Sequence, residues 1–271
     1  MEFVGKVITE TDLRITVSSV YKSRTIRKLL CDTEGRPYYW FDGFDERKPV
    51  LVFITGFPAV SPFYDPLLHF FARDFSVFVF DSYYDFFVGK DAVSLEVLLH
   101  SYEEVLTKVL GDKPVAMLTG YCTGAELAIA FAAYMRKKHP EKALYPILNM
   151  EGVYRRQEAD EMPETITEEP LRGRIRITNE LYKGFPLLGY TGPIVHVMAG
   201  KASKMIYWEK GEETDELILE QMRQALEANH KDWQQHYSNA PYYELDCNHW
   251  TFFEEKNLRV LREIIRKHWN I

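Results

Sequence analysis

Cys122 stands at the centre of "TGYCTGAELA", with Gly120 two residues before it and Gly124 two residues after. The apolar run "PVAMLTG" leads into it and an alanine-rich segment of helical character, "GAELAIAFAAYMRKKHP", leads away. A strand that turns sharply into a helix presents the residue at the turn as a nucleophile. The flanking positions must be small, because a side chain there would strike the adjoining strand or helix. Unpaired amides and the dipole at the helix N-terminus favour a thiolate, and the Thr123 amide is placed as one donor to a developing oxyanion.

A thiolate of this kind needs a base, and the base needs an orienting group. Among the 8 histidines, His249 in "LDCNHWTFF" follows the last expected strand and precedes the final helical segment. His69, His100, His139, His230 and His268 fall in helical or polar segments, His196 lies inside a strand, and His236 precedes the last strand without a motif. For the acid, the loop "MAGKASKM" offers Ser203 but no carboxylate, whereas "ILNMEG" supplies Glu151 at a strand end; Asn149 and Asp81 are its rivals. Asp246 is too near His249 in sequence to orient it. A second oxyanion donor is expected from "ITGFPAV", where Pro58 lacks an N–H and leaves Phe57, Ala59 or Val60, with Ala59 preferred. Phe57, Val60 and Tyr121, beside these donors, are the expected substrate contacts.

These groups require a scaffold that brings strand ends together. "RITVSSVY" and "RPYYWFDG" read as strands near the N-terminus. "KPVLVFITGFPA", "FSVFVFDSYY", "PVAMLTG", "ALYPILNMEG" and "GPIVHVMAG" are short apolar runs of the kind buried on both faces of a sheet, with "APYYELDCNH" as a weaker sixth. Between them, "AVSLEVLLHSYEEVLTKVLG" places Val93, Val97, Leu98, Tyr102, Val105, Leu106 and Val109 on one helical face, and "NLRVLREIIRKHW" reads as an amphipathic helix. Alternating strands and helices imply a mostly parallel sheet covered on both sides. The polar stretch 152–191 is too long for a simple connection; it reads as a helical lid with "LYKGFPLLGY" as its apolar underside, or else as a surface insertion.

Composition narrows the classes. With 33 basic and 40 acidic residues the net charge is −7, which argues against a nucleic-acid binder. Cys31, Cys122 and Cys247 are odd in number and widely spaced, so neither a disulfide framework nor a metal site is expected. No signal peptide and no membrane span are expected, and a reducing cytoplasm is the expected compartment. From the start at Met1 without a linker-like segment, a separate or designed protein is expected rather than a piece of a larger one.

In the order Cys122, Glu151, His249, the chain from about Lys48 to Ile271 resembles the α/β-hydrolase superfamily, and within it the thioesterase domains that complete nonribosomal peptide and polyketide synthesis. The resemblance rests on "ITGFPAV", "TGYCTGAELA", the acid before the lid, the lid and "DCNHWTFF". Most such domains carry serine and aspartate where this chain has Cys122 and Glu151, although a minority use cysteine. "GYCTG" also resembles the elbow of polyhydroxyalkanoate synthases, a longer family with other histidine and aspartate contexts. Residues 1–47 have no counterpart in the resemblance and are expected to extend the same domain with strands, or to be the remnant of a linker to a carrier domain; residues 48–271 are expected to form the α/β-hydrolase domain.

The resemblance implies a thioesterase or acyltransferase that releases an acyl or peptidyl thioester through an acyl-cysteine, by cyclisation, condensation or hydrolysis. The substrate would arrive on the phosphopantetheine arm of an acyl- or peptidyl-carrier protein, with no bound cofactor or metal, no nucleic acid and no membrane. An ester or lactone hydrolase with the same three residues, or an inactive binding module, are the alternatives. Sulfur itself is informative. Transfer from a carrier thioester to cysteine exchanges one thioester for another, so the acyl-enzyme stays activated toward an amine or hydroxyl.

Overall fold

The protein was obtained as a computed structural model that describes residues 37–56, 61–81, 83–87, 93–142, 144–153, 169–182, 190–202 and 215–269. The short apolar runs form strands: β1 (Tyr38–Phe41), β2 (Val50–Ile54), β3 (Ser76–Phe80), β4 (Val115–Tyr121), β5 (Ile147–Met150), β6 (Ile194–Lys201) and β7 (Tyr242–Asn248). They make one 7-stranded sheet in the order β1-β3-β2-β4-β5-β6-β7. Every neighbouring pair is parallel except β1 with β3, where Tyr38 lies opposite Phe80 in an antiparallel edge. Among the described residues this edge strand is what the N-terminal 47 residues add to the sheet; "RITVSSVY" lies outside them.

Successive strand residues point to opposite faces, so each continuous apolar run feeds two cores. Val50, Val52 and Ile54 of β2 join one core, and Leu51 and Phe53 join the other. The first core is covered by α2 (Leu95–Leu110), α3 (Thr123–Lys138), α4 (Glu169–Tyr182) and α5 (Asp215–His236). The second is covered by α1 (Ser61–Ala72) and α6 (Glu255–Trp269), through Tyr64, Leu67, Leu68 and Phe71 on α1 and Leu261, Ile264 and Ile265 on α6. This is an α/β-hydrolase-like fold, a mostly parallel sheet between two layers of helices.

One helix departs from the sequence reading. In α2 the buried stripe is Leu95, Leu98, Leu99, Tyr102, Leu106 and Leu110, while Val93, Val97, Val105 and Val109 are only partly buried. The bulkier leucines and Tyr102 take the inward positions, and the expected face is rotated accordingly. The helix begins at Ser94, whose hydroxyl accepts the Val97 amide, and stops at Gly111, whose φ of 58° suits glycine. Within the stretch expected as a lid, α4 is helical; Thr178 and Leu181 are buried, and Thr178 shares a 2.8 Å hydrogen bond with the Tyr83 hydroxyl. Tyr190, at the end of that stretch, is also buried, while 183–189 fall outside the described residues.

Candidate active site

The turn between β4 and α3 is held at Cys122 with φ 54° and ψ −128°, a backbone conformation that costs a non-glycine residue on the order of 1–3 kcal/mol. Packing around it overrides the cost. The Cys122 amide donates to the Met150 carbonyl at 2.9 Å, and the Cys122 carbonyl accepts the Ala125 amide at 2.9 Å, so the residue opens the helix. The neighbouring glycines have no room for a side chain. A Cβ on Gly124 would lie 2.1 Å from the Ile54 carbonyl oxygen, and one on Gly120 would lie 2.3 Å from the Gly124 carbonyl carbon. A Cβ on Gly56 would lie 2.4 Å from the Tyr121 carbonyl oxygen. The small residues are therefore demanded by the end of β2 pressing on the turn.

Glu151 follows β5 in a similar bend, with φ 59°. Its amide donates to the Val197 carbonyl, its Oε1 accepts the Ala199 amide, and its Oε2 lies 3.1 Å from Nδ1 of His249. With Nδ1 facing the carboxylate, the imidazole has Cys122 as a second neighbour that favours its protonated form. Burial lowers the basicity of His249, but the bonds to Cys122 and Glu151 outweigh it and raise the imidazole pKa to about 10. Side-chain exposures of 18% for His249 and 8% for Glu151 keep the pair almost out of water. The loop carrying His249 is fixed by Asn248, whose Oδ1 accepts the amides of Trp250 and Thr251, each at 3.0 Å.

Cys247 provides an internal contrast. It too is buried, but burial and then the Glu151 charge push its thiol up to about 12, which keeps it protonated. A thiol becomes nucleophilic through a partnered cation, not through burial alone.

Of the residues singled out by sequence, Glu151 and His249 are hydrogen-bonded, and Cys122 is among the groups that raise the imidazole. Thr123 begins α3, immediately after the turn that carries Cys122. Phe57, Ala59 and Val60 lie outside the described residues. Tyr121 is a correction. Expected to face substrate, it is fully buried, its hydroxyl donates to the His249 carbonyl, and its ring lies 4.7 Å from the imidazole.

The rival acids are accounted for in part. Asn149 points to the opposite face, where its Nδ2 donates to Nδ1 of His196 at 2.8 Å and its Oδ1 accepts the Gly152 amide at 3.2 Å. His196 is a packed core histidine, held down to about 3 by burial. Asp246 is exposed and paired with Lys201.

Several supporting groups escaped the sequence reading. Tyr64 on α1 is fully buried and its hydroxyl accepts the Gly56 amide at 3.0 Å; burial, and then the proximity of Cys122, hold it protonated. Trp233 on α5 donates its indole N–H to the Gly152 carbonyl at 2.7 Å and so anchors the residue after Glu151. Phe63 packs on Trp250 and Phe253, and Trp250 packs edge-on against His249. The adjacency of Trp250 and Phe253 to His249 in "NHWTFF" was the available signal for these aromatics.

No protein-family model matches the chain, and no curated protein is significantly similar to it in sequence. Solved structures do share its fold. The thioesterase domain of NocB from the nocardicin cluster aligns over 86% of this chain and 99% of its own, with 14% identity and a TM-score of 0.57. A serine-to-alanine mutant of YbtT, a type II thioesterase from the yersiniabactin NRPS/PKS pathway, aligns over 86% of this chain and 98% of its own, with 12% identity and a TM-score of 0.54. MGS-MChE2, an α/β-hydrolase from a lagoon-sediment metagenome, aligns over 85% of this chain and 94% of its own, with 14% identity and a TM-score of 0.52.

Proposed function

We propose that the protein is an acyl-transfer enzyme of the thioesterase type, working through an acyl-cysteine at Cys122. The observation that carries this reading is the line Glu151–His249–Cys122, with the thiol at a strained strand-to-helix turn and its histidine raised to about 10. The same fold in the NocB and YbtT thioesterases supports the choice of thioesters as the substrate class.

In the first half-reaction the Cys122 thiolate attacks the carbonyl carbon of an acyl or peptidyl thioester. The tetrahedral oxyanion is met by the Thr123 amide, with a second donor from the segment that holds Ala59. The C–S bond to the carrier breaks, and the departing thiolate takes the proton from His249. In the second half-reaction His249 accepts the proton of a hydroxyl, amine or water, whose oxygen or nitrogen attacks the acyl-cysteine. The product leaves and Cys122 returns as thiolate beside the imidazolium. Glu151 keeps the imidazole in one tautomer and stabilises its charge throughout. An acyl carrier bearing a phosphopantetheine arm is the proposed partner. The acyl-thioester intermediate stays activated, which favours cyclisation or condensation over hydrolysis.

The test is intact-protein mass after incubation with a panel of acyl-pantetheine thioesters, comparing wild type with Cys122→Ala. An acyl adduct on wild type alone, turning over to product, is expected. Turnover that survives in Cys122→Ala would remove Cys122 from the mechanism. Hydrolysis of simple esters with no adduct from any thioester would move the protein to the ester-hydrolase reading.

A further inference from the structure

Tyr121 carries contacts that the proposed reaction does not yet use. Its carbonyl oxygen presses on Gly56 of the neighbouring strand end, so its backbone is fixed from one side. Its ring is enclosed by Phe252 and Phe253, at centroid distances of 5.2 and 4.6 Å, and by the imidazole of His249 at 4.7 Å. Its hydroxyl reaches 128 residues along the chain to donate to the backbone carbonyl of His249. The next residue is Cys122. One residue thus fixes the nucleophile through its main chain and the base through its side chain.

We infer that Tyr121 is a positioning residue that sets the distance between Cys122 and His249, by tethering the base loop to the elbow through its hydroxyl. Without the tether the loop keeps its Asn248 bonds, which fix its internal shape, but not its placement relative to β4. The bond from Glu151 orients the imidazole in its plane; the bond from Tyr121 anchors the backbone beneath it. A shift of about 1 Å in such a pair is enough to cost roughly 10²-fold in rate. The ionisable groups around Tyr121 are Glu151 from the turn after β5, Cys122, Tyr64 from α1 and Cys247 from β7. Burial, and then these neighbours, keep the hydroxyl protonated, so it remains a donor across the working range.

The inference rests on the Cys122–His249 pair of the proposed function, but its test does not need an acyl substrate. Alkylation of Cys122 by iodoacetamide, followed across pH by intact mass, reports the thiolate directly. Cys122→Ala supplies the blank for Cys31 and Cys247. In wild type the alkylation midpoint is expected well below the ordinary thiol value of ~8.5. In Tyr121→Phe, which keeps the ring and all its packing, the midpoint moves up toward that value while the melting temperature changes little. Where thioester turnover is present, the same variant loses kcat by roughly 10²-fold with KM unchanged. An alkylation profile identical to wild type would overturn the inference. A shifted profile in a protein that turns over no thioester would sustain it and sink the substrate assignment instead.

Discussion

Two of the glutamate–histidine pairs among the described residues, one in the helix layer and one at the strand ends, have different surroundings. In one, Glu103 of α2 binds Nε2 of His139 at 2.7 Å, and the same carboxylate takes bonds from Tyr134 and Lys138. In the other, Glu151 binds Nδ1 of His249 at 3.1 Å and takes a further bond from the Ala199 amide. The shorter bond belongs to the pair without a nucleophile. Glu103 lies at the rim of the helix layer, where the Lys138 ammonium neutralises its charge locally and His139 bonds its other oxygen. Burial would raise its carboxyl, but the donors from His139, Lys138 and Tyr134 bring it down to about 2. Glu151 binds a single imidazole among the described residues, and Cys122 also raises that imidazole. A carboxylate–imidazole bond is thus chemically productive only when the charge it stabilises has somewhere to go.

The largest expected effect separates the pairs outright. His249→Ala lowers acyl transfer by on the order of 10⁶-fold, as loss of a base does in enzymes of this type, whereas His139→Ala leaves turnover within about twofold of wild type. Single-turnover kinetics with an acyl-pantetheine measures both. Next come the carboxylates: Glu151→Gln costs on the order of 10⁴-fold by releasing the tautomer, while Glu103→Gln leaves kcat alone and costs stability of about 1 kcal/mol or less. Equal losses for the two glutamine variants would collapse the distinction. The elbow sharpens it from the other side, because the Glu103 pair has none. Gly124→Ala places a methyl 2.1 Å from the Ile54 carbonyl, and urea unfolding is expected to show a loss of at least about 3 kcal/mol.

The smallest effects lie in pH dependence, and they fall at opposite ends. His249 is raised from 6.5 to about 10, so the stability it contributes is complete below pH 6.5 and is lost as pH rises through about 10. Glu103 is lowered from 4.5 to about 2, so its contribution is complete above pH 4.5 and is lost as pH falls through about 2. Urea midpoints across pH should therefore flatten on the alkaline side in His249→Gln and on the acid side in Glu103→Gln. His196, lowered to about 3, adds an acid-side loss from pH 6.5 downward that is common to both variants.

What could be read in the sequence follows from how locally each feature is encoded. The elbow was legible because strand, glycines and helix are contiguous, and Glu151 because it ends an apolar run. Helix α1 was not, since "SPFYDPLLHFFA" is nearly continuous in apolar residues and carries Pro66 inside, which masks any helical period. Helix α5 was missed for the opposite reason. Its surface is polar almost all round, and Trp233 is its one fully buried side chain among the described residues. Tyr121 was misread because an aromatic beside a nucleophile looks the same in sequence whether it points outward or under the base loop. Only the pairing of β4 between β2 and β5 decides that.

The strand order has a consequence for the timing of synthesis. Cys122 and Glu151 leave neighbouring strands, but His249 is contributed by the far edge strand, 98 residues after the acid. A nascent chain therefore carries the finished turn and its thiol long before a base exists to ionise it. On the proposed mechanism, Cys122 stays an ordinary cysteine until β7 docks, and its reactivity switches on with the closure of the sheet's last seam. A growing polypeptide built this way is shielded from acylating itself before it has folded.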